Sequence, residues 1–162
     1  MSRTSVRRLV LALAITAAAL TPAAAVAGGR PFKARLTGNA HLSPTDDPAV
    51  LRNDETGQGN ATHLGRFTWT DVEFADFSDF PLMITVEATF TMTAANGDQL
   101  YGEFTTVGVP AADGSLVIHG HFHFTGGTGR FTDAEGYGQI DAVASTGPDL
   151  PFTGTLTGRI DY

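Results

Sequence analysis

The chain has 162 residues, with 10 Lys plus Arg against 17 Asp plus Glu, 19 Gly, 8 Pro, 11 Phe and no Cys. That length suits one domain, and the lack of Cys excludes disulfide scaffolds, thiolate metal sites, cysteine nucleophiles and lipoprotein anchoring. Abundant Gly and Pro favour turns over helices, the apolar content exceeds that of a disordered chain, and the acidic balance argues against a nucleic-acid partner.

Residues 1–27 read as a secretory signal peptide. Arg3, Arg7 and Arg8 precede an apolar run, Leu9 to Leu20, and Ala25-Val26-Ala27 forms an Ala-x-Ala cleavage site. A membrane span needs about 20 consecutive apolar residues, more than this run supplies, so no span is expected in the mature chain. Cleavage after Ala27 removes three Arg and no acid, leaving 7 basic and 17 acidic side chains on a domain spanning 28–162. The expected location is secreted, periplasmic or envelope-associated. Asn60-Ala61-Thr62 is a glycosylation sequon, which matters only in a eukaryotic secretory pathway.

Within the domain, strands are predicted at about Phe32–Leu42, Asn60–Ala75, Ile84–Ala94, Ser115–Phe124, Gly136–Ser145 and Phe152–Asp161, with a further run through Leu100, Gly102 and Phe104. Between the first two, Ser43 to Gln58 carries Asp46, Asp47, Asp54 and Glu55 and reads as a loop, either a lid over a barrel mouth or a disordered acidic excursion. Its acids lack the ligand spacing of an EF-hand. The Asn60–Ala75 run is long enough to bend or split at Gly65, giving seven or eight strands. Phe67, Trp69, Asp71 and Glu73 share one of its faces, opposite Leu64, Thr68, Val72 and Phe74. If the aromatic pair points inward, Asp71 or Glu73 is placed to orient a ligand in an apolar pocket; otherwise the pair covers a barrel mouth or an oligomer contact. Phe74, Phe77 and Phe80 read as anchors of the next connection.

Ile84, Val86, Ala88, Phe90, Met92 and Ala94 alternate with polar residues, the mark of a strand with one buried face. A three-residue loop, Ala95-Asn96-Gly97, would pair Met92 with Leu100 and Ala88 with Phe104, keeping apolar faces together, with Gly97 left-handed. His119, His121 and His123 alternate opposite Ile118, Gly120, Phe122 and Phe124, so they should point outward. Alternate positions lie about 6.6–6.8 Å apart along a strand, and two of them would need His63 or an acid to hold zinc. No metal site is assigned.

The absence of helical periodicity and the even spacing of turns favour an all-β fold, a single antiparallel up-and-down barrel of about eight strands, which leaves no exposed edge. Gly102, Gly120, Gly138, Gly154 and Gly158 fall on the inward face. They either make room for Phe90, Phe104, Phe122, Phe124 and Phe152 to fill the lumen or leave a hole for a ligand. That face reads as almost free of ionisable groups, which leaves acid–base chemistry in the lumen without support.

Gly126-Gly127-Thr128-Gly129-Arg130-Phe131, followed by Ala134-Glu135-Gly136-Tyr137, stands with Ala61-Thr62-His63-Leu64-Gly65-Arg66-Phe67 and Ala94-Ala95-Asn96-Gly97-Asp98. These motifs resemble the exported bacterial members of the allene oxide cyclase-like barrel family. Gly-Gly-Thr-Gly-x-Phe-x-x-Ala-x-Gly is similar to the motif of plant dirigent proteins. The resemblance covers roughly Ala61 to Tyr162. It implies an eight-stranded calycin-like barrel and, from the plant relatives, a lumen that steers an apolar or aromatic substrate without a cofactor. Glu135 stands where dirigent proteins usually carry an Arg of the site, so no catalytic residue carries over. Gly126, Gly127 and Gly129 read physically as a tight connection, since they lack the ending of a phosphate loop.

No nucleophile motif is present. The leading expectation is an exported barrel binding a small apolar molecule, with Phe67, Trp69, Asp71, Glu73 and Gly120 as candidate contacts. A cofactor-free cyclase or isomerase that folds its substrate in the lumen is the alternative, and a structural barrel with a filled core is a third.

Overall fold

A computed structural model describes residues 29–145 and 149–162; the expected signal peptide, residues 1–27, lies outside them. Period-two alternation of buried and exposed residues recurs through eight strands: β1 Arg30–Pro44, β2 Val50–Ala61, β3 Gly65–Asp76, β4 Ile84–Ala94, β5 Gln99–Pro110, β6 Leu116–Gly127, β7 Glu135–Ala144 and β8 Pro151–Asp161. Each pairs antiparallel with the next, and β8 closes on β1. Closure satisfies both edges of the sheet with its own chain. The described residues contain no α-helix, only a 3₁₀ turn at Gly129–Phe131, and no helix long and apolar enough to cross a membrane.

The β4–β5 hairpin has the expected register, Met92 opposite Leu100 and Ala88 opposite Phe104. Gly97 has φ +89°, and its N–H donates to the Ala94 carbonyl at 2.9 Å. The predicted long strand does break at Gly65, where φ is +69°.

The acidic stretch Ser43–Gln58 is not a loop. Most of it is β2, paired with β1 through Pro44↔Leu51 and with β3 through Val50↔Asp76. Opposite β3, the positions Asn53, Glu55, Gly57 and Gly59 face Glu73, Asp71, Trp69 and Phe67. From Asn53 to Gly59 the inward set of β2 is polar or side-chain-free, so the alternation that marks other strands has no apolar member between Leu51 and Ala61. Its two neighbours impose the strand by pairing.

The barrel has a filled half and an open half. Toward the end formed by the β2–β3, β4–β5 and β6–β7 connections, Phe32, Met92, Leu100, Phe131, Leu156 and Ile160 are wholly buried. Phe32 meets Phe124 edge-on at 4.9 Å, and Phe122 lies 5.0 Å from Phe124. The Gly126-to-Phe131 motif closes this floor. Gly129 has φ +57°, Phe131 turns under the barrel against Tyr162 at 4.9 Å, and the Arg130 guanidinium donates to the His63 carbonyl at 2.6 Å. Inward glycines at this level make room for rings: a Cβ on Gly102 would meet Phe90, and one on Gly138 would lie 2.7 Å from the Phe122 ring. Toward the other end, the inward residues include the small Ala40, Ala75, Ala142, Ala144 and Gly154 among larger apolar ones, and the lumen opens.

Because a Cβ on Gly102 would also lie 2.6 Å from the His123 carbonyl oxygen, Gly102→Ala is expected to destabilise the barrel by about 1–3 kcal/mol. Thr105→Ala, on the outer face of the same strand, should stay within about 0.5 kcal/mol. Urea unfolding of both variants measures the difference.

Candidate functional site

The open half holds a cavity of about 430 Å³. Its walls are apolar on most sides, with Leu36, Val86, Phe104, Ile118, Ile140 and Phe152 contributed by six different strands. Phe77, Phe80 and Leu150 stand among the lining residues outside the strands, at the mouth. Trp69 reaches it from β3, stacked on Phe90 with ring centroids 4.7 Å apart and an interplanar angle of 14°.

One wall departs from this apolar pattern. Strands β2 and β3 place Asn53, Glu55, Asp71 and Glu73 side by side in the lumen, Glu55 opposite Asp71 and Asn53 opposite Glu73. The Trp69 indole N–H donates to Asp71 Oδ2 at 2.8 Å. The Asn53 amide N–H₂ donates to Glu73 Oε2 at 2.6 Å and Glu55 Oε1 at 3.1 Å. Carboxylate oxygens of Glu55, Asp71 and Glu73 all lie within 4.8 Å of one another. No Lys, Arg or His is among the described residues lining the cavity.

Asp71, buried, and Glu55 and Glu73, half-buried, crowd together without a cation, which favours their protonated forms. Burial first, then the neighbouring charges of Asp71 and Glu73, push the Glu55 carboxyl up to about 10. Burial and the charge of Glu73 push Asp71 up to about 8, against the lowering effect of the Trp69 hydrogen bond. Glu73 is raised by burial to about 7, its amide bond from Asn53 working in the other direction. Glu55 lies opposite Asp71, so a proton held between these carboxyls belongs to the pair rather than to either residue. Such a group of carboxyls, changing protonation near neutral pH inside an apolar pocket, can donate or accept protons. The oxygen-only donor set is of the type hard cations use: a calcium ion takes 6–8 oxygens, and the three carboxyls and the Asn53 amide carry seven between them.

Trp69, Asp71 and Glu73 come together at this site. Phe67 does not reach the cavity; it is buried in the filled half with its ring against Gly59. Gly120 is also away from the wall, its Cβ position occupied by the Thr105 carbonyl and by Thr106. Gly154 does line the cavity. The expectation of a lumen almost free of ionisable groups is overturned by Glu55, Asp71 and Glu73. Asp71 and Glu73 share the phase of Trp69 in the sequence, but Glu55 and Asn53 lie in the stretch read as a loop, so the pairing that brings four polar groups together had no linear signal. His119, His121 and His123 face outward: His119 Nδ1 lies 2.6 Å from Asp141 and His123 Nε2 lies 3.4 Å from Glu103. His63 sits at the β2–β3 turn, with its Nε2 3.0 Å from the Pro31 carbonyl. Phe74 is exposed on the outer face, apart from Phe77 and Phe80.

Comparison of the chain with protein-family models, curated proteins and solved structures finds no match.

Carboxyls whose folded proton affinity exceeds the unfolded value near 4 stabilise the fold fully below that pH. The contribution is lost as pH rises through about 7, 8 and 10. The melting temperature of the ligand-free protein should therefore fall between pH 5 and pH 9. Each tenfold rise in proton affinity corresponds to about 1.4 kcal/mol, or roughly 3–6 °C in a domain of this size. The decline should be clearly flatter in Glu55→Gln/Glu73→Gln, and equal slopes in the two proteins would contradict the assigned protonation.

Proposed function

We propose that this chain is an exported barrel that binds a small, mostly apolar or aromatic molecule in the mouth half of its lumen. The observation carrying this reading is the cavity itself: apolar on most sides, polar on one wall, and of the 300–1,000 Å³ size typical of small-molecule pockets. The basic, apolar and Ala-x-Ala segments of residues 1–27 support export. The resemblance to allene oxide cyclase-like barrels supports a lumenal ligand. The apolar body would lie against Phe104, Ile118 and Ile140, with its polar end toward Asp71 and Glu73.

A second reading, a cofactor-free cyclase or isomerase, is favoured by one specific feature. The raised carboxyls of Asp71 and Glu73 stand beside the cavity, where a bound substrate could be held in one conformation and exchange a proton with them. Turnover of a polyene or epoxide that is lost in Asp71→Asn, with the fold intact, would support it.

Trp69 is the single tryptophan of the chain and lines the cavity, so its fluorescence reports occupancy. Saturable quenching is expected from members of an aromatic and fatty-acid panel. Gly154→Leu should abolish it, since a Cβ there meets nothing closer than Leu36 Cδ2 at 3.3 Å and the longer side chain extends into the cavity. No saturable response from the whole panel would favour a structural barrel instead.

A further inference from the structure

Two buried side-chain atoms at the polar wall have no hydrogen-bond partner, Asn53 Oδ1 and Asp71 Oδ1. Asn53 is 6 % exposed and Asp71 5 % exposed, and both line the cavity. Both orphans are acceptors. The donors of the cluster, the Trp69 indole N–H and the Asn53 amide, are already engaged within it. While the acids keep their protons their hydroxyls can serve as donors, but once they ionise the cluster has no free donor for Asn53 Oδ1 or Asp71 Oδ1, and a buried polar atom without a partner is costly.

Charge sets a second requirement. Glu55 on β2 and Asp71 and Glu73 on β3 are the titratable groups among the described lining residues; β1 and β4 to β8 contribute none to this wall. Buried carboxylates are normally paired with a cation. Here the fold supplies three acids and no counter-charge. A neutral hydroxyl would bring one proton and no charge. A bare metal ion would bring charge but leave the apolar walls around Phe104, Ile118 and Ile140 unfilled.

We infer that the ligand of this lumen is an apolar amine, its ammonium group seated on Asp71, Glu73, Glu55 and the amide oxygen of Asn53. The inference rests on the proposed lumen-binding function and specifies the ligand's chemical class. A primary ammonium carries three donors, enough for Asn53 Oδ1, Asp71 Oδ1 and one further carboxylate oxygen. Binding takes protons off the cluster, since an ammonium favours ionised carboxylates. Affinity therefore rises with pH from 6 to 8 while the amine remains protonated. A ligand that only accepts hydrogen bonds, such as a ketone or epoxide, would show the reverse, needing the protonated acids as donors.

The test uses 4-phenylbutylamine, 4-phenylbutanol and 4-phenylbutyrate, three probes of nearly equal shape, titrated against the full mature chain by Trp69 fluorescence and calorimetry. At pH 8 the amine should bind at least roughly tenfold more tightly than the alcohol, and the carboxylate weakest, the difference expected of charge-assisted hydrogen bonds. From pH 6 to 8 the amine's affinity should rise severalfold while the alcohol's stays flat, with proton release seen as buffer-dependent heat. Asp71→Asn and Glu73→Gln should reduce the amine's preference over the alcohol to below about threefold, with retained alcohol binding showing that the variants fold. Equal binding of amine and alcohol would overturn the amine assignment and leave lumen binding standing. Calcium that displaces the amine at lower concentration than the amine itself requires would also overturn it, in favour of an inorganic cation site. Failure of all three probes and of the wider aromatic and fatty-acid panel would remove the lumen-binding reading on which the inference rests.

Discussion

Closure of eight antiparallel strands is the constraint on which the rest depends. An eight-stranded barrel is just wide enough for its own side chains, so every inward position decides locally between core and cavity. At the floor that width is used by rings: Phe32, Phe122 and Phe124 form a connected aromatic cluster, and glycines opposite them remove the Cβ atoms that would collide. Above Trp69 the same geometry surrounds Ala75, Ala142 and Gly154, and the lumen stays open. Glycine thus has two uses in one barrel, close packing at Gly102 and Gly138 and open space at Gly154.

The polar wall is a consequence of register. The β2–β3 pairing sets Glu55 against Asp71 and Asn53 against Glu73, and a slip by one residue would have turned the β2 pair to the outside. Immediately next to them on the outer face, Asp54 pairs with Arg52 at 2.6 Å. Its carboxyl is held below its ordinary value by the hydrogen bond from that guanidinium. Neighbouring acids in the chain, Asp54 and Glu55, therefore have their proton affinities pushed in opposite directions by the two sides of one sheet. Water and an arginine face the first, and an apolar cavity with two further acids faces the second.

A site of this kind is costly for the fold that carries it. A carboxyl cluster without a cation works against stability whenever it ionises, whereas Leu or Val on the same wall would pack without that cost. Such a departure from the apolar pattern is expected at functional positions. The adjoining cavity, the orphaned Asn53 oxygen and the absence of a basic group from the described lining all point to the same wall.

Much of the barrel was legible in the linear pattern because the alternation of Ile84 to Ala94 and the Asn96-Gly97 turn are local. A strand with one buried face and a left-handed glycine need no distant partner to be recognised. Trp69, Asp71 and Glu73 were likewise legible as sharing one face, since the phase of β3 is a property of β3 alone. What only the tertiary structure decided was the partner of that face. Asn53, Glu55, Gly57 and Gly59 carry no apolar signal of their own and become a strand because β1 and β3 flank them with unpaired backbone groups. Their arrival turns an acidic stretch read as loop into the polar wall of a cavity, and burial beside Asp71 and Glu73 gives Glu55 a proton affinity that its identity in the chain does not determine.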